Sequence, residues 1–452
     1  MRILTKSGVV LGTALGAVLL MQAAGAQQQG KWVTSWAASS QGPYPSGSAV
    51  ALPDQSFTFP VAANGANDQT FRMIMRPSVW AGEARIRFSN AFGTQPLKLD
   101  SAFVGIQLSS AAVVPGTNMP VLFSGRSDVT VAPGSDVWSD RVALPFAAGD
   151  KAKVLAGRKL AVSFHVEGIS GPMTWHAKAM QTSYVSLPTA GSHGSEEGEQ
   201  AFPQSATAWF FVSAVDMRMP GDTPLVVCFG DSITDGTNST LNGDDRWPDV
   251  LQRRLYLNSA KPVAVVDEGI GSNRINTPET YSLQAPFGGG PAALQRMDRD
   301  VIELSGVTTV FWFEGINDLT NNATSDAVVT GLRAGIAKLR EAIPGVRIVG
   351  ATITPAVGSK GNSGTKDEDD RRKAVNEAIR AGSIFDAYAD FDDAVVDPKT
   401  GALKPQFVPN TTVGGPGDNL HPNRAGYQAM ANAIPLDAVL PPEGKPSTKR
   451  KP

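Results

Sequence analysis

Residues 225–236 read LVVCFGDSITDG. The first five are apolar without interruption, which is typical of a strand buried on both faces of a parallel sheet. Gly230 permits a tight turn after this strand, and Asp231 is a residue type that caps the N-terminus of a helix. The segment therefore predicts a buried strand that turns at once into a helix, with Ser232 at the turn.

The same alternation of strand and helix patterns continues along the rest of the chain. Predicted strands at 263–266, 308–313 and 346–353 alternate with predicted helices at 247–257, 292–304, 327–342, 371–381 and 425–433. Continuous apolar strands separated by helices predict an α/β domain whose parallel sheet is covered on both faces. We assign residues 225–438 to this domain.

The preceding part of the chain has a different pattern. Short runs alternate apolar and polar residues at 71–76, 84–88 and 159–165, and clusters of turn residues separate such runs. A period of two predicts strands with one buried and one solvated face. We expect residues 27–219 to form an antiparallel β-sandwich, similar to a jelly roll, which a linker at 220–224 joins to the α/β domain.

Both ends of the chain carry patterns that lie outside these domains. Arg2 and Lys6 precede an apolar run of about 13 residues, and small residues in an A-x-A pattern follow, as in a secretory signal peptide. We predict cleavage after Ala26, which removes residues 1–26 and leaves a secreted or periplasmic protein. The run is too short to span a bilayer, so we expect no stable membrane anchor. Residues 439–452, rich in Pro and Lys, are predicted to be a disordered tail.

Composition argues against several kinds of partner and site. The 452 residues include 40 Lys and Arg against 42 Asp and Glu, a net charge of −2, so no large basic surface indicates nucleic acid binding. Cys228 is the single cysteine, and therefore no internal disulfide can form. Four histidines leave little material for a metal cluster. We expect neither a nucleic acid partner nor a bound metal.

The residues that follow the predicted parallel strands are candidates for chemistry, because α/β sheets place their sites at the carboxyl ends of strands. Ser232 would lie near unpaired N–H groups at a helix N-terminus, where a developing oxyanion is stabilised. Near the C-terminus, Asp418 and His421 are three residues apart, so the carboxylate can orient the imidazole as a base for a hydroxyl. Each signal has a plain alternative, since serine, aspartate and histidine at helix starts are common capping residues.

Two further loops complete the set of strand ends. One is 267–274, which reads DEGIGSNR, and the other is 314–318, which reads EGIND. A backbone N–H of the first loop and the side-chain amide of Asn317 could point at one oxygen beyond the sheet, together with the N–H of Ser232. Four loops in one half of the chain would then carry a nucleophile, two donors and an acid–base pair.

Taken together, these segments resemble the ordered sequence blocks of the GDSL or SGNH hydrolase family. The blocks are Gly-Asp-Ser at 230–232, the Gly-containing loop at 267–274, Gly-x-Asn-Asp at 315–318 and Asp-x-x-His at 418–421. The resemblance covers about residues 225–434 and implies a three-layer α/β/α fold of the flavodoxin-like type. It also implies that Ser232 is the nucleophile, His421 the general base and Asp418 the residue that orients it.

The same resemblance implies an oxyanion hole made of the N–H of Ser232, a backbone N–H of the second block and the side chain of Asn317. Similar proteins usually have Gly where a direct alignment puts Ser272, with Gly271 one position earlier. Either backbone N–H therefore stays a candidate, since a backbone donor needs only a tolerable backbone conformation.

The function that these implications describe is that of a secreted serine esterase that forms an acyl-enzyme and needs no metal or organic cofactor. The expected ligand is a small-molecule or polysaccharide ester. We favour short acyl (acetyl) esters on carbohydrate, because the β-sandwich resembles accessory domains of bacterial members that act on carbohydrates. A lysophospholipase or general lipase of the same family and a non-catalytic sugar-binding protein are the alternatives. A metal-dependent phosphoesterase would normally need more His or carboxylate ligands.

Overall fold

The computed structural model describes residues 30–49, 53–360 and 363–440. The predicted signal peptide, 1–26, lies outside the described residues, and so do residues 441–452 of the predicted tail. The tail prediction starts too early, because Val439 closes a short helix, is buried and accepts a hydrogen bond from the hydroxyl of Thr309 at 2.9 Å.

The N-terminal region consists of antiparallel strands and short turns. In its described residues the helical segments are 3₁₀ turns, at Ala62–Asn64, Pro145–Ala147 and Gly149–Leu155. The strands are β1 Lys31–Ala37, β2 Gly42–Pro43, β3 Asn67–Met75, β4 Glu83–Ser89, β5 Leu97–Ser109, β6 Ala112–Val113, β7 Met119–Val121, β8 Val129–Val131, β9 Asp136–Trp138, β10 Val142–Ala143, β11 Leu160–Ile169, β12 Thr174–His176, β13 Ser183–Val185, β14 Gln204–Ala206, β15 Trp209–Phe210 and β16 Val212–Met219.

These strands form three antiparallel sheets of five, eight and three strands. The larger two have the orders β1-β16-β4-β10 and β14-β13-β3-β11-β5-β6, with β9 added to β4 and with β7 and β8 added to β5. The prediction of a solvated face is wrong for β3, because Arg72 is buried. Its guanidinium donates to the hydroxyl of Ser163 at 2.8 Å and to the carbonyl of Ala111 at 2.6 Å, and it stacks on Phe202 at 4.0 Å. A loop therefore covers a face that the alternating pattern assigned to solvent.

The C-terminal region contains one parallel sheet and a series of helices. Its strands are β17 Leu225–Gly230, β18 Ala264–Gly269, β19 Val307–Phe313, β20 Arg347–Ala351 and β21 Ala387–Ala389, in the spatial order β18-β17-β19-β20-β21. The helices are α1 Ser232–Asp235, α2 Trp247–Asn258, α3 Ala293–Met297, α4 Ile316–Thr320, α5 Ser325–Ala342, α6 Lys366–Arg380, α7 Phe391–Val395, α8 Arg424–Asn432 and α9 Leu436–Val439. The predicted helix at 292–304 is shorter than expected, since a π-helical turn at Asp298–Ile302 follows α3.

The two regions pack against each other over a broad, mixed surface. Strand β1 lies beside β18, and the buried apolar residues of both regions form one continuous cluster. Polar contacts also cross this boundary: Thr34 N–H donates to the carbonyl of Ser305 at 2.9 Å, and the Arg299 guanidinium donates to the carbonyl of Ser40 at 2.7 Å. N-terminal residues can therefore reach the strand ends of the parallel sheet.

Candidate active site

Ser232 lies where β17 passes into α1. The side chain of Asp231 caps this helix by accepting the N–H of Ile233 at 2.9 Å, so the turn is held by the residue before the serine. A side chain at Gly230 would collide with the carbonyl of Phe313, which explains the need for glycine at the end of the strand. Ser232 is 6% exposed, and its hydroxyl faces the C-terminal loop that contains His421.

Three side chains form a connected line at this point. The Ser232 hydroxyl lies 2.8 Å from Nε2 of His421, and Nδ1 of the same ring lies 2.6 Å from Oδ2 of Asp418. The other carboxylate oxygen, Oδ1, accepts the backbone N–H groups of Leu420 at 3.0 Å and His421 at 2.9 Å. The amide of Asn238 donates to the carbonyl of His421 at 3.1 Å and fixes the backbone from the other side.

This arrangement can move a proton from the hydroxyl to the imidazole. Because the carboxylate faces Nδ1, that nitrogen carries a hydrogen and Nε2 is left to accept the serine proton. Partial burial acts to raise the pKa of Asp418, but the hydrogen bond and charge of His421 and the two backbone N–H groups hold that pKa well below its usual range. The carboxylate is therefore ionised at neutral pH and can stabilise a charged imidazolium.

The backbone N–H groups of the two open candidates, Gly271 and Ser272, differ in their hydrogen-bond partners. The N–H of Gly271 donates to Oδ2 of Asp235 at 3.1 Å and is therefore occupied. Ser272 is exposed and has φ +65°, and among the described residues its N–H and that of Ser232 have no hydrogen-bond partner. Asn317 donates one side-chain N–H to the carbonyl of Asn273 at 2.9 Å, which places the amide beside the second loop.

Three carboxyl groups are buried beneath these loops. Asp318 accepts the N–H groups of Ile275 at 3.0 Å and Asn276 at 3.4 Å, so it supports the second loop. Burial raises the pKa of Asp231 to about 7 and that of Glu314 to about 8. Among the described residues, no group of three or more His, Cys, Asp or Glu side chains is placed to hold a metal ion.

Several residues of the site have no signal in the sequence. The guanidinium of Arg296 is buried and donates to the carbonyls of Gly230 and Glu268 at 2.8 Å each and to the side chain of Asn273 at 2.8 Å. It thus ties the ends of β17 and β18 to the second loop. A charged residue on a helix gives no local indication of such burial. Asp235 was not predicted either, although it lies within the segment 225–236 that predicts the first strand and turn.

The segment 281–291 lies over the second loop. The buried amide of Asn273 donates to the carbonyls of Gly289 at 2.6 Å and Pro291 at 2.8 Å, and Gln41 donates to the carbonyl of Gly288 at 3.0 Å. The N-terminal region therefore contacts the segment that lies over the second loop.

The part of the chain that contains this sheet and site matches a known family of hydrolases. Residues 228–429 match the GDSL-like Lipase/Acylhydrolase family. This part of the chain belongs to that family, which supports hydrolysis of esters.

Solved structures with similarity to the chain include three esterases or lipases. The aryl esterase of M. smegmatis is 15% identical over 47% of this chain and 96% of its own, with a TM-score of 0.35. A GDSL-like lipase from Bacteroides thetaiotaomicron is 20% identical over 48% and 88%, with a TM-score of 0.34. A carbohydrate acetylesterase family member from Sinorhizobium meliloti is 17% identical over 47% and 95%, with a TM-score of 0.34.

No curated protein matches the chain. Within the described part of the chain, none of the helices combines the length and the apolar character that crossing a bilayer requires.

Proposed function

We propose that this protein is a serine esterase that hydrolyses carboxylic esters through Ser232, His421 and Asp418. The observation that carries the proposal is the continuous line of two short contacts, 2.8 Å from the Ser232 hydroxyl to the imidazole and 2.6 Å from the imidazole to the carboxylate. A serine that only capped a helix would not need a histidine on its hydroxyl, with a carboxylate on the far side of the ring.

The reaction follows from these positions. His421 Nε2 takes the proton as the Ser232 oxygen attacks the ester carbonyl, and the imidazolium then gives that proton to the leaving alkoxide. Water, deprotonated by the same nitrogen, attacks the acyl-enzyme, and the Ser232 oxygen regains its proton as the acid leaves. The residues themselves supply the base, the nucleophile and the charge stabilisation.

We assign the oxyanion donors to the N–H of Ser232, the N–H of Ser272 and the second N–H of the Asn317 amide. Ser272 is chosen over Gly271 because Asp235 already accepts the Gly271 N–H. The left-handed backbone of Ser272 is the conformation for which glycine is the usual residue, and serine adopts it at a cost of about 1–2 kcal/mol.

For the substrate we propose a short acyl ester, with acetyl groups on carbohydrate as the favoured class. The nearly covered nucleophile supports a small acyl group, since Ser232 is 6% exposed and segment 281–291 lies close to the second loop. We also propose that the protein is exported after removal of residues 1–26 and that the N-terminal sheets form a β-sandwich. The strand order β18-β17-β19-β20-β21 supports a flavodoxin-like three-layer catalytic domain.

The test uses purified residues 27–452 and p-nitrophenyl acetate. We expect hydrolysis by the wild-type protein, nearly complete loss in Ser232→Ala, and full activity in EDTA. Ser239→Ala is the matched control, because Ser239 is buried nearby and its hydroxyl has no partner in the described structure. Equal rates for wild-type and Ser232→Ala protein would show that Ser232 is not the nucleophile.

A second measurement tests the substrate class. Acetylated xylan, acetylated pectin and lysophospholipids are offered to the same preparation, and released acetate or fatty acid is measured. Release of acetate from polysaccharide is the expected result. Preferential cleavage of lysophospholipids would overturn the assignment of a carbohydrate ester as substrate and would leave the proposed esterase function unchanged.

A further inference from the structure

Two basic side chains of the N-terminal region reach into the catalytic region. His176, the last residue of β12, and Lys178 are 4% and 3% exposed. Nε2 of His176 lies 3.2 Å from one carboxylate oxygen of Asp235, and Nζ of Lys178 lies 4.0 Å from the other. Asp235 is the last residue of α1, three positions after the nucleophile. Both cations therefore lie behind the serine, on a carboxylate that the reaction itself does not use.

Asp235 connects α1 to the turn that contains the proposed oxyanion donor. Its Oδ2 atom accepts the N–H of Gly271 at 3.1 Å. The next residue, Ser272, must keep a left-handed backbone, which L-residues adopt only at a cost of about 1–2 kcal/mol. A hydrogen bond to the preceding peptide is the kind of restraint that such a turn needs to point its N–H in one direction.

Lys178 also contacts this turn. A Cβ atom placed on Gly271 would lie 2.9 Å from the Lys178 ammonium, so the turn packs directly on the charged group. The ammonium donates to the hydroxyl of Thr237 at 2.5 Å, which fixes its position just beyond α1. The lysine, the aspartate and the turn are thus neighbours in one buried cluster.

The charges explain why these residues come together. A buried carboxylate without a cation would be strongly unfavourable. Burial acts to raise the pKa of Asp235, but His176, Lys178 and Arg246 hold it below its usual value. His176 donates Nδ1–H to the carbonyl of Ser39 at 2.8 Å, so both ring nitrogens face oxygen atoms and the ring is suited to carry a positive charge. The N-terminal region thus supplies two of the basic side chains that lower the pKa of Asp235.

We propose that His176 and Lys178 are positioning residues through which the N-terminal region completes the active site. By holding Asp235, they hold the Gly271–Ser272 turn in the geometry that presents the Ser272 N–H to the oxyanion. The inference rests on the proposed esterase function and assigns the N-terminal region a part in catalysis, besides any part in substrate binding.

The rival explanation is that the cluster only attaches the two regions to each other. If the cluster only attaches the regions, substitutions in it should lower the stability of the protein and leave kcat of the folded protein unchanged. Positioning predicts a lower kcat with KM nearly constant, because the oxyanion donor acts in the transition state and not in substrate binding.

The experiment measures kcat, KM and thermal unfolding of the full chain with p-nitrophenyl acetate. We expect Lys178→Met and Asp235→Ala to lower kcat by about 10- to 100-fold, as supporting residues around active groups commonly do. Asp235→Asn should recover much of this loss, since an amide oxygen can still accept the Gly271 N–H. His176→Gln removes the other proposed positioning residue, should lower kcat in the same direction, and keeps the test decisive if Lys178→Met does not fold.

Arg85→Met is the matched control at the same boundary. Arg85 donates to the hydroxyl of Ser305 at 3.0 Å, and Ser305 precedes β19 at the opposite end of the parallel sheet. Folded Lys178→Met and Asp235→Ala proteins with wild-type kcat, or an equal loss in Arg85→Met, would overturn this inference alone. A wild-type protein that hydrolyses no ester would overturn the proposed function and this inference with it.

Discussion

The carboxylate of Asp418 holds His421 at two places at once. Oδ2 lies 2.6 Å from the ring nitrogen Nδ1, while Oδ1 accepts the backbone N–H of the same residue at 2.9 Å. The backbone contact fixes the position of the His421 main chain, and the ring contact fixes the rotation and the tautomer of the imidazole. Nε2 is therefore directed at Ser232 before any substrate binds.

Asp418→Asn should lower kcat by about 10³- to 10⁴-fold, because an amide can hold the ring in the wrong tautomer and cannot stabilise the imidazolium. Its oxygen can still accept the backbone N–H groups, so we expect little change in thermal unfolding. The check is kcat for p-nitrophenyl acetate beside the melting temperature. Loss of less than tenfold in a folded variant would show that Asp418 does not orient the base.

Asn317→Ala should lower kcat by about 10²- to 10³-fold with a small change in KM, because the amide is assigned to the oxyanion and not to the bound ester. Asn258→Ala is a suitable control, since Asn258 is the exposed last residue of α2 and also carries an amide. Stopped-flow or steady-state rates for the two variants give the comparison. Equal rates would remove Asn317 from the oxyanion hole.

Ser272→Gly and Ser272→Val should differ in their effects on kcat. Glycine tolerates φ +65° without strain, so this variant should keep the wild-type kcat and gain stability, by about 1 kcal/mol at most. Valine is β-branched and disfavours the same conformation, so it should lower kcat as the turn shifts. Urea unfolding and ester hydrolysis measure both effects. A glycine variant with severely reduced kcat would mean that the serine side chain, and not its backbone N–H, is required.

The sequence was sufficient to identify the strand ends that carry the candidate site. Residues 230–232 and 315–318 follow neighbouring parallel strands, whose carboxyl ends lie at one edge of the sheet. Residues 418–421 follow no strand of this sheet and reach Ser232 from the loop before α8. Strand β21 was missed because it has only three residues, Ala387–Ala389, and two of them are alanine. A run so short and weakly apolar has no periodicity to detect.

Other features depend on contacts between distant parts of the chain. Neither His176 nor Lys178 has a local pattern that indicates a contact with Asp235, about 60 residues later. The choice between Gly271 and Ser272 needed the direction of one backbone N–H and the sign of one φ angle. Arg72 is at a polar position of an alternating pattern, where a solvated side chain is expected. A loop distant in sequence covers it instead.

Glu314 is 3% exposed and accepts a hydrogen bond from the Trp312 indole at 3.0 Å. Burial raises the pKa of this carboxyl to about 8, compared with an ordinary value of 4.5. Between these two pH values the folded protein holds a proton that the unfolded chain has released. The stability contributed by this group is therefore fully present below pH 4.5 and is lost as the pH rises towards 8, by at most about 1.4 kcal/mol per pH unit.

Glu314→Gln mimics the protonated carboxyl and should remove this dependence. The free energy of unfolding of the variant should approach that of the wild-type protein at acidic pH and exceed it increasingly as the pH rises to 8. Urea unfolding at several pH values measures the difference, with Glu341→Gln, at an exposed position of α5, as the control for loss of one negative charge. A difference between Glu314→Gln and wild-type protein that stays constant with pH would mean that Glu314 is ionised in the folded protein.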